Sequence, residues 1–377
     1  MNRRTLLRAS LASVMIPAVA RAQSTPIAGL SLDAYQLAWE QPITSRYPST
    51  PVVYEDELHV SSDRGLVQLN LGNGEIAREM DLGFNPGAPL IDAYGHTIIG
   101  TGITREGTYV PPYAISREAW DLTWTADEAA YFSTPVSFGF GVAVLGDDAT
   151  LRVLNAVTGA VEWTYPLESH ARGIAVVPPT SDLEVPRRLI TANETGQVFS
   201  FVFADDALYA LDWMTNLRVE ELWWPVLFGE TLVVGNGDTV WALDVETGAI
   251  RWQHRHDAHL YHSPAIDDTQ IVLTAEIDGR GALIVLDVGT GDQIAQVDLP
   301  ASPYFLSSGA VPVTIHGEQL IATLPLHGVV AIDRTLHEIT GELRTEEVAL
   351  RTPAVIADDL LILRATDGRV FAYQTRA

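Results

Sequence analysis

A cluster of histidines has the clearest potential for metal chemistry in this sequence: His254-x-His256-x-x-His259-x-x-His262, which encloses Asp257. On a strand, His254 and His256 would point the same way, as two ligands of one metal require, while His259 and His262 would have to fold back in a loop. Imidazole ligands of this kind could hold Zn²⁺ or Cu²⁺. The alternative is a polar loop whose histidines are solvated or bonded to backbone. The sequence favours this second interpretation because no carboxylate–water arrangement completes a catalytic zinc site.

A second set of candidate binding residues is aromatic. Its members stand a few positions ahead of apolar runs that read as strands, and they are Tyr47, Tyr131, Phe132, Trp223, Tyr261, Tyr304 and Phe305. If those strands surround one axis, the rings could form a rim that recognises a ligand or a partner. The same rings could instead fill gaps between packed sheets. No Ser-His-Asp arrangement, phosphate loop or dinucleotide fingerprint stands out, so the sequence predicts no catalytic residue.

The elements that must position these residues come from an internal repeat. Its clearest copies are residues 151–163 and 240–252, and weaker copies occupy residues 66–80, 283–297 and 329–343. Each copy reads as an alternating apolar strand, a polar turn that contains Gly, and a second strand, which is typical of a β-hairpin. Glycine suits this turn because we expect the backbone there to need positive φ.

An apolar strand entered by proline marks the same period. It recurs at Pro51, Pro89, Pro135, Pro225, Pro264 and Pro353, with equivalents that lack proline near Ala175 and Ala310. Eight units of about 40–50 residues, each with four strands, therefore fill the chain, and this is the period of a propeller blade. The sequence predicts an all-β fold: an eight-bladed β-propeller of four-stranded antiparallel blades.

The two ends of the repeat predict how the ring closes. The last unit stops at Thr375, one strand short, while an orphan strand that contains Trp39 occupies residues 35–41. Trp39 lies 12 residues before Pro51, as Trp252 lies 12 residues before Pro264. We therefore expect the N-terminal strand to complete the eighth blade, which hides two sheet edges that would otherwise promote aggregation.

The repeat Asp244-x-x-Thr247-Gly248-x-x-x-Trp252 resembles that of the quinoprotein (PQQ-type) β-propellers. The similarity spans residues 35–377, and two branches of the family matter here: quinoprotein alcohol dehydrogenases and the outer-membrane assembly factor BamB. The resemblance implies that the repeated tryptophans and glycines serve docking between neighbouring blades. The residues that match are Trp39, Trp124, Trp163, Trp252, Gly159 and Gly248.

The resemblance to the dehydrogenase branch implies a pocket for a planar quinone, a bound Ca²⁺ and an aspartate base. In that branch a disulfide between adjacent cysteines forms one wall of the pocket, and this chain has no Cys. It also shows none of the long inserts of those enzymes. Trp213 or Trp241 could still form the floor of a ring-shaped site, although packing between blades is the favoured role. We expect no cofactor; the alternatives are PQQ with Ca²⁺, or Zn²⁺ or Cu²⁺ at the histidine cluster.

The N-terminus reads as an export signal. Arg3 and Arg4 precede a modest apolar stretch, and Ala20-Arg21-Ala22 offers a small-x-small cleavage site. The paired arginines resemble the twin-arginine signal, with an ordinary secretory signal as the alternative. The predicted boundaries are a signal peptide at 1–22, a linker at 23–34 and one propeller domain at 35–377. These features predict a periplasmic or extracellular protein without a lipid anchor.

Charge restricts the partners of the protein. The chain has 48 acidic against 23 basic residues, all of the latter Arg, and a formal net charge of −25. Nucleic acids and anionic lipid surfaces need clustered cations, so we exclude both. The apolar N-terminal stretch is too short for a membrane span, so no transmembrane segment is expected.

The same charge predicts a salt dependence of stability. Like charges repel one another in the folded state, and salt screens that repulsion over about 10 Å or less. We expect the melting temperature to rise between low salt and molar NaCl. A melting temperature that stays flat or falls over this range would contradict the prediction.

The functional expectation is a BamB-like, non-enzymatic scaffold in the bacterial cell envelope. It would bind an envelope protein or peptide, with the outer-membrane assembly machinery as one possibility, and we expect a monomer. The alternative is a PQQ- or metal-dependent periplasmic oxidoreductase. A carbohydrate-binding or structural propeller is a third hypothesis, which the rim aromatics permit.

Overall fold

The computed structural model describes residues 32–375 except 88–89, 92–94, 127–134, 139–140, 178–187, 205–207, 223–224, 302–312, 346–347 and 351, with backbone alone at 90–91 and 261–263. These residues form eight antiparallel sheets in sequence order, so the predicted eight-bladed propeller is confirmed. The predicted signal peptide lies outside the described residues.

Blades 1–4 follow one another along the chain, and in blade 2 two short strands share the innermost position. Their strands are β2 (Val52–Tyr54), β3 (Glu57–Ser61), β4 (Gly65–Asn70) and β5 (Ile76–Asp81); β6 (Asn85–Pro86), β7 (Leu90–Ile91), β8 (Thr97–Ile103), β9 (Tyr109–Ser116) and β10 (Asp121–Thr125); β11 (Val136–Phe138), β12 (Gly141–Leu145), β13 (Thr150–Asn155) and β14 (Val161–Pro166); and β15 (Ala171–Val177), β16 (Arg188–Asn193), β17 (Gln197–Ala204) and β18 (Leu208–Asn216).

Blades 5–8 complete the ring, and the first strand of the chain belongs to the last blade. Their strands are β19 (Val226–Phe228), β20 (Thr231–Gly235), β21 (Thr239–Asp244) and β22 (Ile250–Arg255); β23 (His259–Ile266), β24 (Gln270–Ile277), β25 (Arg280–Asp287) and β26 (Gln293–Asp298); β27 (Val313–His316), β28 (Gln319–Leu324), β29 (Gly328–Asp333) and β30 (Ile339–Arg344); and β31 (Val355–Ala357), β32 (Leu360–Arg364), β33 (Val370–Thr375) and β1 (Tyr35–Gln41).

The core of the molecule lies between the blades. The two middle strands of a blade are buried on both faces, because each face packs against a neighbouring blade. In β32, Leu361 and Leu363 pack towards blade 7, while Leu360 and Ile362 pack towards blade 1. The outer strands are largely exposed, and each pairs with its neighbour through a register shift, which twists these free edges and discourages edge-to-edge association.

The ring closes as the sequence predicts. Strand β1 pairs antiparallel with β33, from Tyr35 opposite Thr375 to Gln41 opposite Val370. Trp39 lies opposite Ala372, and its indole Nε1 donates to the carbonyl of Leu71 in blade 1, at 3.0 Å. The N-terminal strand therefore joins blade 8 to blade 1 as well as completing blade 8.

Four tryptophans of outer strands dock on the following blade in this way. The indoles of Trp124, Trp213 and Trp252 donate to the carbonyls of Ala156, Val245 and Val288 at 2.9–3.1 Å. Each indole covers a glycine of positive φ in the turn beyond, and the pairs are Trp39 on Gly74, Trp124 on Gly159, Trp213 on Gly248 and Trp252 on Gly291. Trp163 packs differently: it lies edge-on against Phe201 and Tyr209 of blade 4, whose hairpin is longer.

A short 3-10 turn, η1 (Leu32–Ala34), fills the junction where blade 7 lacks a tryptophan. The repeat position of the tryptophan is Gly341 in β30, and Leu32 lies beside it. Leu32 is fully buried in a cluster with Val329, Leu343 and Leu361. The last three residues of the predicted linker are thus part of the packed fold.

The Leu32→Ala variant is expected to lose about 2–4 kcal/mol of unfolding free energy, because a buried leucine leaves a cavity at the blade 7–blade 8 junction. Urea unfolding of the chain from residue 23 onwards measures this loss. Leu37→Ala is the matched control, since Leu37 in β1 is 50% exposed. Equal losses in the two variants would contradict the role of Leu32 as a plug.

Candidate functional site

One face of the ring carries the loops that lead from each outer strand to the next inner strand, and we call it the top face. A groove lies on this face. It runs between residues 217–221, which follow blade 4, and the turn 236–238 of blade 5, and has a volume of about 610 Å³. Its apolar surface comes from Leu217, Val219 and Trp241, and its polar wall from Gln253 and Arg255 of β22. We call this feature the blade 5 groove.

The turn that forms one wall of the blade 5 groove is held on both sides. The side-chain oxygen of Asn236 accepts from the backbone N–H of Asp238 and Thr239, which fixes the turn. The N–H of Leu260 donates to the Gly237 carbonyl at 2.7 Å, and that of His256 donates to the Asp238 carbonyl. The wall is therefore anchored to blade 6 and preformed.

The opposite wall has an unusual backbone. Arg218 and Glu221 both have positive φ, 59° and 58°, a conformation that side chains other than glycine adopt only at an energetic cost. Backbone hydrogen bonds from Leu217 to Gly196 and from Glu221 to Glu194 hold it, and Leu222 is fully buried beneath. The tertiary structure maintains this strain, which is a common property of binding loops.

The charge around the blade 5 groove is mainly negative. Glu220 and Glu221 are exposed on one wall, and Asp238 lies on the other, where Arg255 pairs with it at 3.2 Å. A second depression of about 410 Å³ shares the turn 236–238 and is bordered by Asp257 and His259. A few apolar lining residues between acidic walls suit a segment that combines an apolar side chain with a cationic one.

The histidine cluster is split between two strands. His254 is the last residue but one of β22, and His256 is the first residue after that strand. Their ring centroids are 6.2 Å apart, as expected for residues on the same side of a strand. His259 and His262 do not lie in a loop as predicted: they belong to β23, and only Asp257 and Ala258 separate His256 from that strand. The side chain of His262 lies outside the described residues.

The hydrogen bonds of the described histidines do not favour metal binding. Nδ1 of His256 accepts the N–H of Ala258 at 2.9 Å, so in the neutral ring the proton lies on Nε2. Nε2 of His254 is buried without a partner, and burial, together with the neighbouring His256, lowers the pKa of His254. Among the residues that the structure describes, no three His, Asp or Glu side chains converge on a metal site. A site completed by His262 stays a prediction.

The predicted aromatic rim falls mostly outside the described residues. Tyr131, Phe132, Trp223, Tyr304 and Phe305 are not described, and Tyr261 is described only by its backbone in β23. Tyr47 is 43% exposed in the loop before blade 1. The rim therefore stays a prediction.

The structure places both tryptophans for which the sequence favoured packing between blades over the floor of a site. Trp213 docks on Gly248, and Trp241, 4% exposed, packs between blades 4 and 5 and lines the blade 5 groove. Trp213 lies 12 residues before Pro225, the spacing that identifies Trp39 and Trp252, so the period could also have assigned its docking partner.

Residues 191–377 match the family model described as outer membrane protein assembly factor BamB. The crystal structure of BamB from Moraxella catarrhalis superposes with a TM-score of 0.66 and 14% identity, covering 90% of this chain and 99% of that one. The chain is thus a β-propeller similar to BamB, with the PQQ-type family match over residues 191–377. The computationally designed Ika8 protein superposes with a TM-score of 0.70 and 13% identity, covering 89% of this chain and all of that one. No curated protein gives a significant match.

The tryptophan–glycine pairing is absent at two further junctions besides those of Trp163 and Gly341, and at these two both members of the pair change together. In β5 the tryptophan position is Arg78, and the turn position that it faces is Trp120, with φ 55°. The guanidinium of Arg78 donates to the carbonyls of Arg117 and Glu118 instead. In β26 the position is Ala295, and the following turn carries His337, with φ 57°. At these two junctions no indole from the preceding blade covers the turn, and the turn position is occupied by a residue other than glycine.

Proposed function

We propose that the protein is an exported, non-enzymatic scaffold that binds an extended segment of another envelope protein in the blade 5 groove. The observation that carries the proposal is the groove itself: an open cleft lined by Leu217, Val219 and the edge of the core around Trp241, with acidic residues on both walls. A volume of about 610 Å³ suits a short extended peptide segment. The preferred segment has an apolar side chain next to Arg or Lys.

Several observations support an envelope location. The matching family is named for outer membrane protein assembly, and the N-terminus carries an export signal pattern. In the part of the chain that the structure covers, no helix has the length and hydrophobicity that a membrane span requires. We propose the periplasm as the site of action, with the outer-membrane assembly machinery as the first source of partners to examine.

Site-specific photo-crosslinking in the native envelope tests the groove. A photoreactive residue at Gln253, which lines the groove, is expected to give a discrete adduct with an envelope protein. The matched control is Gln296, which occupies the same repeat position in β26 of the next blade, outside the groove. Charge reversal by Glu220→Lys with Glu221→Lys is expected to reduce the adduct at least several-fold. Adducts of equal yield at both positions, or none at position 253, would argue against the groove.

The non-enzymatic part of the proposal has its own test. The protein purified from the periplasm is expected to be colourless and free of stoichiometric metal. A quinone absorbance band, or a metal that is lost on His256→Ala, would instead support the oxidoreductase alternative.

A further inference from the structure

Arg364 ends β32 in blade 8 and is the largest side chain that is fully buried in the described residues, with 0% exposure. Its Nη2 donates to the carbonyl of Ser61, so the guanidinium lies between blade 8 and blade 1, beside the junction where the ring closes. The corresponding repeat positions in other blades carry no charge: they are Ser61, Leu145, Ala192, Gly235, Thr274 and Thr323. Arg364 is therefore not a product of the repeat and needs an explanation of its own.

The charge of Arg364 has no compensation in the described part of the chain. Nε and Nη1 have no hydrogen-bond partner, and no carboxylate forms an ion pair with this guanidinium. Burial lowers the pKa of Arg364 to about 10, which still leaves it charged at neutral pH. Arg188, the other buried arginine among the described residues, shows the usual arrangement, because Asp212 lies 2.5 Å and Glu246 2.8 Å from its guanidinium.

A buried charge without a counter-charge is strongly unfavourable, and a water molecule would satisfy an N–H group without neutralising the charge. We propose that the blade 8–blade 1 junction binds a small inorganic anion, chloride being the expected ion, against Nε and Nη1 of Arg364. Because Arg364 is fully buried, the proposal requires an anion small enough to be enclosed with it, which favours chloride. Ser61 can contribute: its Oγ accepts from both the N–H and the hydroxyl of Ser49, so its own proton is free to donate.

Such a site makes the closing junction of the ring sensitive to one kind of anion. This effect differs from general screening, which depends on ionic strength and not on the identity of the anion. The protein as a whole is acidic, so it repels anions, and binding must come from the local donors of Arg364 and Ser61.

Thermal unfolding of the chain from residue 23 onwards, in sodium chloride and in sodium gluconate at matched ionic strength, tests the proposal. Chloride is expected to raise the midpoint by about 2–4 °C beyond gluconate, in a saturable manner. Arg364→Met, which keeps much of the volume, should abolish this difference. The control Arg369→Met should retain it, since Arg369 is partly exposed and paired with Asp367 and Glu40. Coincident curves for the unsubstituted protein, or a chloride increment that survives in Arg364→Met, would overturn the site.

A measurement on the unsubstituted protein covers the case in which Arg364→Met does not fold. Crystals grown in bromide should show an anomalous scattering peak within hydrogen-bond distance of Nε or Nη1 of Arg364. A peak there supports the site, and density for water alone at that position refutes it.

Discussion

Replacing Gly291 by alanine is expected to destabilise the propeller by about 2–4 kcal/mol, whereas the same replacement should cost only about 1–2 kcal/mol when Trp252 is already alanine. Gly291 has a φ of 75°, and a Cβ there would lie 2.4 Å from Cε3 of Trp252. The left-handed backbone alone accounts for about 1–2 kcal/mol. The rest comes from moving the indole, which also weakens its hydrogen bond to Val288.

A double-mutant cycle measured by urea unfolding separates the two contributions. Trp252→Ala alone should reduce the free energy of unfolding by about 3 kcal/mol. In the Trp252→Ala background, Gly291→Ala should reduce it only by the cost of the left-handed backbone, about 1–2 kcal/mol. The control is Gly279→Ala, because Gly279 has nearly the same φ, 76°, with nothing within 4 Å of a Cβ. If Gly291→Ala costs no more than Gly279→Ala, the indole does not impose the glycine.

A disulfide between positions 36 and 374 should stabilise the protein by about 5 kcal/mol, since it would close nearly the whole chain into one covalent loop. Gln36 lies directly opposite Gln374 in the β1–β33 pair, and both side chains are exposed. The chain has no native cysteine, so Gln36→Cys with Gln374→Cys introduces the sole thiols. Thermal unfolding with and without reductant measures the effect.

The control for this cross-link places the second thiol on a distant blade. Gln36→Cys with Val157→Cys should form no intramolecular disulfide in the folded protein, because Val157 lies in the turn between β13 and β14 of blade 3. Failure of the 36–374 bond to form in the native state, or a midpoint that reductant leaves unchanged, would contradict closure of the ring by the N-terminal strand.

The periodicity of the chain was sufficient to predict the fold and its closure. Turn glycines such as Gly248 and the prolines that enter inner strands are local signals that recur in many units, and the spacing of about 12 residues from tryptophan to proline, as from Trp39 to Pro51, recurs in several. A repeated blade needs the same turn and the same docking contact each time, so residue types reappear at fixed intervals. The histidine cluster shows the limit of this reasoning, because only three residues, 256–258, separate β22 from β23, and His259 and His262 lie in a strand instead of the predicted loop.

Periodicity could not predict the contacts that distinguish one blade junction from another. Leu32 fills the place of a missing tryptophan more than 300 residues away in sequence, and Arg364 meets Ser61 across the closing junction. The blade 5 groove forms where residues 217–221 of the loop after blade 4 face the turn 236–238 of blade 5. Each depends on which non-repeating residues the closed ring brings together. Periodicity specifies what the blades share, whereas the packing of unlike neighbours across each junction sets where a charge is buried and where a cleft opens.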